Sequence, residues 1–133
     1  MDRDALLDVL RDAVAHEPDV RFALLFGSRA RGNPREDSDV DVAVSVTPAA
    51  DLARVAARFS LAAGHEVDLV PLEDPGVPLL EQLLRDGILV RENVRGAYAT
   101  WRAHTLMDLE VDRPWYARMR DAWLRRVAER GIL

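Results

Sequence analysis

Three aspartates occupy positions from which they could hold a metal ion. Asp39 and Asp41 are separated by one residue, and Asp68 follows later in the chain. Two residues of an extended strand advance roughly 6.6 Å, so Asp39 and Asp41 project to the same side and can reach one cation or a pair of them. Grouped carboxylates suit Mg²⁺, which completes its coordination with water and substrate phosphates. We therefore expect a phosphate-bearing substrate.

The residues upstream of the paired aspartates suit such a substrate. Gly27 allows close approach of the backbone, and Ser28, leading into a helical turn, offers a hydroxyl and amide donors, while Arg29 and Arg31 add guanidinium donors. Three carboxylates, two metal ions and a phosphate-binding loop meet the needs of phosphoryl or nucleotidyl transfer. Each feature alone is more often a turn or a solvated strand residue. Their joint occurrence in this order favours a catalytic site.

Short strands and helices must position these residues. The apolar run at 20–26 ends at Gly27 and is typical of a buried strand. After the loop, valines alternate with Asp39 and Asp41, which puts the valines against a core and both aspartates on the opposite face. The full set of predicted elements is a helix between Asp2 and Glu17, strands at 20–26, 39–46, 66–70 and 87–91, helices at 49–63 and 79–85, a turn at 75–78, and helices from 94 to 130 broken near Pro114.

These elements predict an α/β domain with a small mixed β-sheet. Its open face would present the three aspartates, and helices would pack on the other face. With 133 residues, 49% of them apolar, the chain fits a single domain, 1–133. Its core would lie at about 1–92, followed by C-terminal helices at about 94–130.

Composition excludes several classes of function. The net charge of -5 argues against binding of nucleic acid through bulk phosphate neutralisation, so no direct nucleic-acid contact is expected. The absence of cysteine excludes disulfides, thiolate nucleophiles and zinc-thiolate sites. No apolar run reaches the roughly 20 residues of a membrane span, and the N-terminal residues do not resemble a targeting peptide. We expect a soluble, cytoplasmic protein.

Gly27-Ser28, ten intervening residues and Asp39-Val40-Asp41 resemble the signature of the DNA polymerase β nucleotidyltransferase superfamily, and Asp68 resembles its third acidic position. More narrowly, GSRARG followed by SDVDVAV resembles the minimal nucleotidyltransferases, antitoxins paired with HEPN-type ribonuclease toxins. The resemblance implies a palm-like fold. It also implies that Asp39, Asp41 and Asp68 hold Mg²⁺, with Asp68 also helping to activate an incoming hydroxyl. Ser28 and its neighbours Gly27, Arg29 and Arg31 would bind the nucleotide.

The activity implied by this resemblance is transfer of AMP from ATP to a tyrosine of a cognate toxin, which neutralises the toxin in a hetero-oligomer. Two alternatives stay open: a non-catalytic antitoxin that acts by stoichiometric binding, and transfer to a small molecule. Small-molecule members of the superfamily usually carry a further domain over the acceptor, which does not fit in this length. The sequence leaves open the nucleotide preference, the identity of the acceptor, the number of AMP groups and the stoichiometry.

The C-terminal region concentrates aromatic and arginine residues, the types enriched at interface hot spots. Helical spacing allows two interpretations, a cover for the sheet or a partner interface, and the sequence does not separate them. The residues concerned are Tyr98, Trp101, Trp115, Tyr116, Met119 and Trp123, interleaved with Arg102, Arg113, Arg118, Arg120, Arg125 and Arg126.

Overall fold

The computed structural model describes residues 1–32, 39–73 and 75–130, with the backbone alone described at 111–113 and 116. The four predicted strands and the alternation of strands with helices are confirmed. In chain order the elements are α1 (Arg3–Ala15), β1 (Val20–Phe26), α2 (Ser28–Arg31), β2 (Val40–Val46), α3 (Leu52–Ala63), β3 (Val67–Pro71), α4 (Val77–Asp86), β4 (Ile88–Glu92) and α5 (Ala97–Arg130).

Two helix starts differ from the prediction because of their first-turn residues. Helix α3 begins at Leu52, since the Asp51 side chain accepts a hydrogen bond from the Arg54 N–H at 3.1 Å and caps the helix there. Helix α4 begins at Val77 and includes Pro78 in its first turn. Proline fits there because the first N–H groups of a helix have no intrahelical acceptor. The predicted turn at 75–78 is therefore shorter.

The four strands form one mixed sheet in the order β3-β2-β1-β4. Strand β1 is antiparallel to both of its neighbours, β2 and β4, whereas β2 and β3 are parallel. The crossover from β2 to β3 runs through α3. This arrangement confirms the predicted α/β class and brings the start of β2, the start of β3 and the end of β1 to one edge of the sheet.

Helices pack on both faces of the sheet, so the prediction that they cover only the face opposite the aspartates is wrong. On one face, α1 and α3 bury the valines of β2 against side chains such as Leu10 and Phe59. On the face that carries Asp41, α4 and the start of α5 cover Phe22, Leu24 and Ala43. Strand β1 is apolar on both sides, so both of its faces require a cover. The aspartate face is thus open at one edge only.

A buried carboxylate ties α1 to α3. Glu17 is fully buried, and its two oxygens lie 3.1 Å from Arg54 Nη2 and 2.6 Å from Arg58 Nε. The contact with Arg58 is an ion pair without hydrogen-bond alignment. Beside it, the Asn93 side-chain amide donates to the carbonyl oxygens of Val14, Glu17 and Val20 at 2.8, 3.0 and 2.9 Å. This junction fixes the end of α1, the start of β1 and α3 in one unit.

Helix α5 continues through Pro114, so the predicted break is wrong. Proline removes the N–H that would bond to the carbonyl of Glu110, but both residues are exposed and water can solvate that carbonyl.

The aromatic segment of α5 divides into two parts. Tyr98 and Trp101 pack on Phe22, with ring centroids 5.7 and 5.8 Å away. A row of side chains four residues apart follows, called the α5 stripe below; it consists of the exposed Trp115, Met119 and Trp123 and the half-buried Val127.

No helix in the described part of the chain has the length and apolar character needed to cross a membrane. The side chains of Arg113 and Tyr116, which belong to the predicted aromatic and arginine-rich segment, lie outside the described residues.

Candidate active site

Sheet pairing brings the aspartates together at one edge. Asp41 is the partner of Phe26 on β1 and of Asp68 on β3. Partners on neighbouring strands direct their side chains to the same face, so Asp41 and Asp68 stand side by side. Asp39 lies immediately before β2, two residues from Asp41, and is exposed. The structure therefore gathers the three aspartates predicted from sequence.

Gly27 lies directly against the Asp41 carboxylate. It follows β1 with φ 76° and ψ -158°, a backbone region that is essentially restricted to glycine. A Cβ atom at position 27 would lie 2.4 Å from Asp41 Oδ2. Any other residue at position 27 would displace either the Asp41 carboxylate or the backbone around position 27. In the structure the group close to Gly27 is the Asp41 carboxylate, and the predicted approach of this backbone to a substrate phosphate stays a prediction.

The surroundings of Asp41 disfavour its charge. Burial raises the pKa of the Asp41 carboxyl above its ordinary value, and the negative charges of Asp68 and Asp39 raise it further. The guanidinium of Arg31 acts in the opposite direction and lowers this pKa. A cation beside Asp41 would relieve both the desolvation and the repulsion, so this donor set suits a hard divalent ion.

The described residues contain no group of three or more histidine or acidic side chains arranged as a ready metal cage. Mg²⁺ does not require one, because it commonly takes one or two protein carboxylates and fills its remaining positions with water and substrate phosphates. Asp39 and Asp41 fit that pattern. Direct coordination by Asp68 stays a prediction.

Helix α2 directs its two arginines to different places. Arg31 is exposed and its charge acts on Asp41, whereas Arg29 is 6% exposed. Arg29 lines a cavity of about 390 Å³ together with the first residues of α1 and with Gly32. Residues two apart lie on nearly opposite sides of a helical turn, and this spacing could have separated the arginines from sequence alone. Ser28 is half-buried at the start of α2, directly after Gly27.

Residues 33–38, which complete the predicted phosphate-binding loop between α2 and β2, lie outside the described residues. The described part of the site is therefore the end of β1, helix α2, the start of β2 and the start of β3. It combines a carboxylate cluster, a glycine contact and an arginine, which are the parts needed to bind a metal-complexed polyphosphate.

Comparison with known proteins assigns a family to this arrangement. A family model described as polymerase beta, nucleotidyltransferase matches residues 9–95, which include every candidate site residue. The protein adenylyltransferase MntA of Shewanella oneidensis is 30% identical over 90 residues, covering 65% of this chain. The aligned part spans 63% of the length of MntA.

Solved structures share the fold over most of the chain. A toxin-antitoxin complex with AMP-PNP contains a chain with a TM-score of 0.66 and 23% identity, covering 92% of this chain and 99% of that one. A tri-AMPylated Shewanella oneidensis HEPN toxin in complex with an MNT antitoxin gives a TM-score of 0.58 at 22% identity, with coverage of 91% and 95%. At this identity the likeness concerns the fold.

Proposed function

This chain belongs to the polymerase beta nucleotidyltransferase family, and from that premise we propose that it is a Mg²⁺-dependent protein adenylyltransferase. It transfers AMP from ATP to a tyrosine of a HEPN-type ribonuclease toxin in the cytoplasm and so neutralises the toxin. The observation that carries the proposal is the Asp41 carboxylate, held against Gly27 beside Asp68 with Arg31 nearby. The match to the adenylyltransferase MntA and the fold shared with antitoxins of AMPylated toxins support the same activity.

The substrate triphosphate binds between α2 and the aspartates in this proposal. Asp39 and Asp41 hold Mg²⁺, which supplies neutralisation of the phosphate charge when bound. The raised pKa of Asp41 favours this role because an adjacent cation would offset the burial and the repulsion that disfavour the ionised carboxylate. Arg31 contributes a guanidinium to the phosphate oxygens, and Ser28 a hydroxyl.

The chemical step needs a proton acceptor, because a tyrosine hydroxyl has an ordinary pKa of about 10. Asp68, exposed and in register with Asp41, accepts this proton as the tyrosine oxygen attacks the α-phosphorus of ATP. A new oxygen–phosphorus bond forms, the bond to the β-phosphate oxygen breaks, and pyrophosphate leaves. The tyrosine then carries AMP.

The proposal is tested by the intact mass of a cognate HEPN-type protein, measured after incubation with the chain, ATP and Mg²⁺. We expect a gain of one or more AMP units, abolished by EDTA and by the double substitution Asp39→Asn, Asp41→Asn. A matched control removes two exposed carboxylates of α1, Asp8→Asn and Asp12→Asn, and keeps full transfer. Equal AMP gain with the site variant would exclude the paired aspartates from the reaction.

A second candidate function is neutralisation by binding alone, which the exposed α5 stripe favours. It predicts that the Asp39→Asn, Asp41→Asn variant forms the complex and still inhibits the ribonuclease. If the unsubstituted chain forms the complex but the HEPN-type protein gains no mass, this candidate would be selected over AMP transfer.

A further inference from the structure

The apolar face of α5 continues beyond the part of the helix that the domain covers. Thr105 and Leu109 are buried, and Trp123 and Val127 follow them by 18 residues each. Eighteen residues correspond to about five helical turns, so the two pairs lie on the same side of α5, roughly 27 Å apart along its axis. One side of the helix thus begins as core and ends as the α5 stripe.

The α5 stripe is large, apolar and accessible. Trp115 is 56% exposed, Met119 48% and Trp123 57%, whereas Leu109, on the same helix, is 2% exposed. Single exposed apolar residues are common, but a row of two tryptophans and a methionine on successive turns marks an interaction surface. A helix projecting from its domain gains little stability by itself, and a partner on this face would stabilise it.

Charge distinguishes the possible occupants of the stripe. Residues 114–130 contain five arginines and two acidic residues, a net charge of +3, whereas the other residues contain thirteen arginines and 21 acidic residues, a net charge of -8. Arg118 and Arg126 each follow a stripe tryptophan by three residues, one turn further along the helix. Two copies that paired through this face would oppose like charges, which disfavours a homodimer.

A nucleic acid fits less well than a protein. The strongly negative remainder of the chain repels phosphate, and Asp121 and Glu129 interrupt the basic residues of the segment. An apolar row at every fourth residue, flanked by arginines, is instead the pattern of a helix that lies in a hydrophobic groove of another protein. A groove complementary to this segment would carry acidic side chains at its rim.

We infer that the α5 stripe is the docking surface for the acceptor protein, seated in an apolar groove with an acidic rim. The identity of this occupant rests on the proposed function, whereas the surface itself rests on exposure and charge. The first turns of α5 pack on the sheet face that carries Asp41. A partner held by the stripe is therefore fixed relative to the aspartates, which lowers the entropic cost of presenting its hydroxyl.

The test measures binding of a cognate HEPN-type protein by calorimetry, without ATP, so that transfer plays no part. The double substitution Trp115→Ala, Trp123→Ala should weaken binding by about thirtyfold or more, as expected for loss of aromatic hot spots. Alanine has the highest helix propensity, so circular dichroism should show an unchanged helix content. Affinity should also fall as ionic strength rises.

Matched controls remove exposed leucines elsewhere. Leu124→Ala lies on the same half of α5 but off the stripe, and Leu61→Ala lies on α3, where Leu61 is 86% exposed. Both should bind the partner within about twofold of the unsubstituted chain, in line with the small effect of most surface substitutions. The stripe variant should also keep its affinity for a fluorescent ATP analogue.

The outcomes separate this inference from the proposed function. Loss of binding in the stripe variant, with no AMP gain on the partner in any sample, would reject the proposed function and keep the docking surface. Unchanged binding by the stripe variant would overturn the docking surface, even if AMP is transferred. Two other results would also overturn the docking surface. The first is self-association of the chain, measured by light scattering, that the stripe substitutions abolish. The second is affinity for a labelled single-stranded RNA that the same substitutions abolish.

Discussion

The carboxylate of Asp41 lies closer to the backbone than any side chain at position 27 would allow. Two features converge on Gly27: a backbone conformation restricted to glycine, and an Asp41 oxygen in the place of a Cβ atom. The same carboxylate is destabilised by burial, by Asp68 and by Asp39. At the scale of single residues, the site keeps a charged group in an unfavourable environment, which a metal ion would relieve.

The substitution Gly27→Ala tests whether glycine is needed at position 27 for its contact with the Asp41 carboxylate, and not only for its backbone conformation. We expect a loss of about 1 to 3 kcal/mol in the free energy of unfolding, since the conformation is strained for alanine. AMP transfer should fall by about a hundredfold or more, because the displaced carboxylate no longer positions the metal. Gly64→Ala is the matched control, with φ 69° but no atom within 4 Å of its added Cβ. This account would be contradicted if Gly27→Ala had the same free energy of unfolding as Gly64→Ala and retained full AMP transfer.

The raised pKa of Asp41 predicts a pH-dependent penalty on folding. Between the ordinary carboxyl value of 3.8 and the higher native pKa, the folded chain binds more protons than the unfolded chain. The free energy of unfolding therefore falls as pH rises through this window, and the penalty persists at pH 7. Asp41→Asn removes it, so this variant should be more stable than the unsubstituted chain at pH 7, with a difference that disappears below about pH 3.8.

Thermal unfolding in EDTA at several pH values measures this difference, with Asp12→Asn as an exposed control. Adding Mg²⁺ should then raise the Tm of the unsubstituted chain more than that of Asp41→Asn, because binding to the native state stabilises it. A variant that is less stable at pH 7 would show that the Asp41 carboxylate makes favourable contacts that outweigh its burial.

At the scale of elements, the sheet edge depends on a junction behind it. Glu17 holds α1 to α3 through two arginines, and Asn93 joins the end of α1 to the start of β1. Strand β1 carries Gly27 at its other end. The position of the glycine contact is therefore linked to a buried ion pair on the opposite side of the sheet.

Removal of both arginines, Arg54→Gln and Arg58→Gln, leaves the fully buried Glu17 carboxylate without a positive partner. We expect the free energy of unfolding to fall by about 2 to 3 kcal/mol. This loss is smaller than that for breaking a fully buried ion pair, because both arginine side chains are about half exposed. Asp8→Asn, which removes the exposed pair with Arg11, should change it by less than about 1 kcal/mol. Urea unfolding measures both, and equal effects would show that burial of Glu17 contributes nothing.

Adding Glu17→Gln to the arginine double variant provides a further check. Neutralising the buried carboxylate should recover part of the lost stability, since the unpaired charge causes most of the loss. No recovery would assign the loss to packing of the arginine stems instead.

At the scale of the whole molecule, α5 joins two regions of different character. Its first turns complete the core through Tyr98, Trp101 and Leu109, whereas its last turns carry a basic, apolar stripe away from an acidic domain. The family match ends at residue 95, before this helix. The candidate active site and the proposed docking surface thus lie in different parts of the chain, connected by the first turns of α5, which pack on the sheet.

Much of the fold could be predicted from local patterns. Alternation of valines predicted β2, the apolar run predicted β1, and the order of glycine, serine and aspartates indicated the candidate site. These features depend on residues that are neighbours along one strand or one turn, where backbone geometry fixes the relation between side chains. Helix boundaries were less certain because single caps, such as Asp51, determine them.

The remaining features depended on long-range packing. No local pattern indicates that Asp41 fills the space of a side chain at Gly27, which of the two arginines of α2 turns toward α1, or that α5 continues through Pro114. The sequence by itself predicted the candidate site residues and determined that Asp41 and Asp68 lie on strands. The tertiary structure alone decided which half of α5 is core and which is exposed, because identical helical spacing serves both halves and only the extent of the domain beneath the helix separates them.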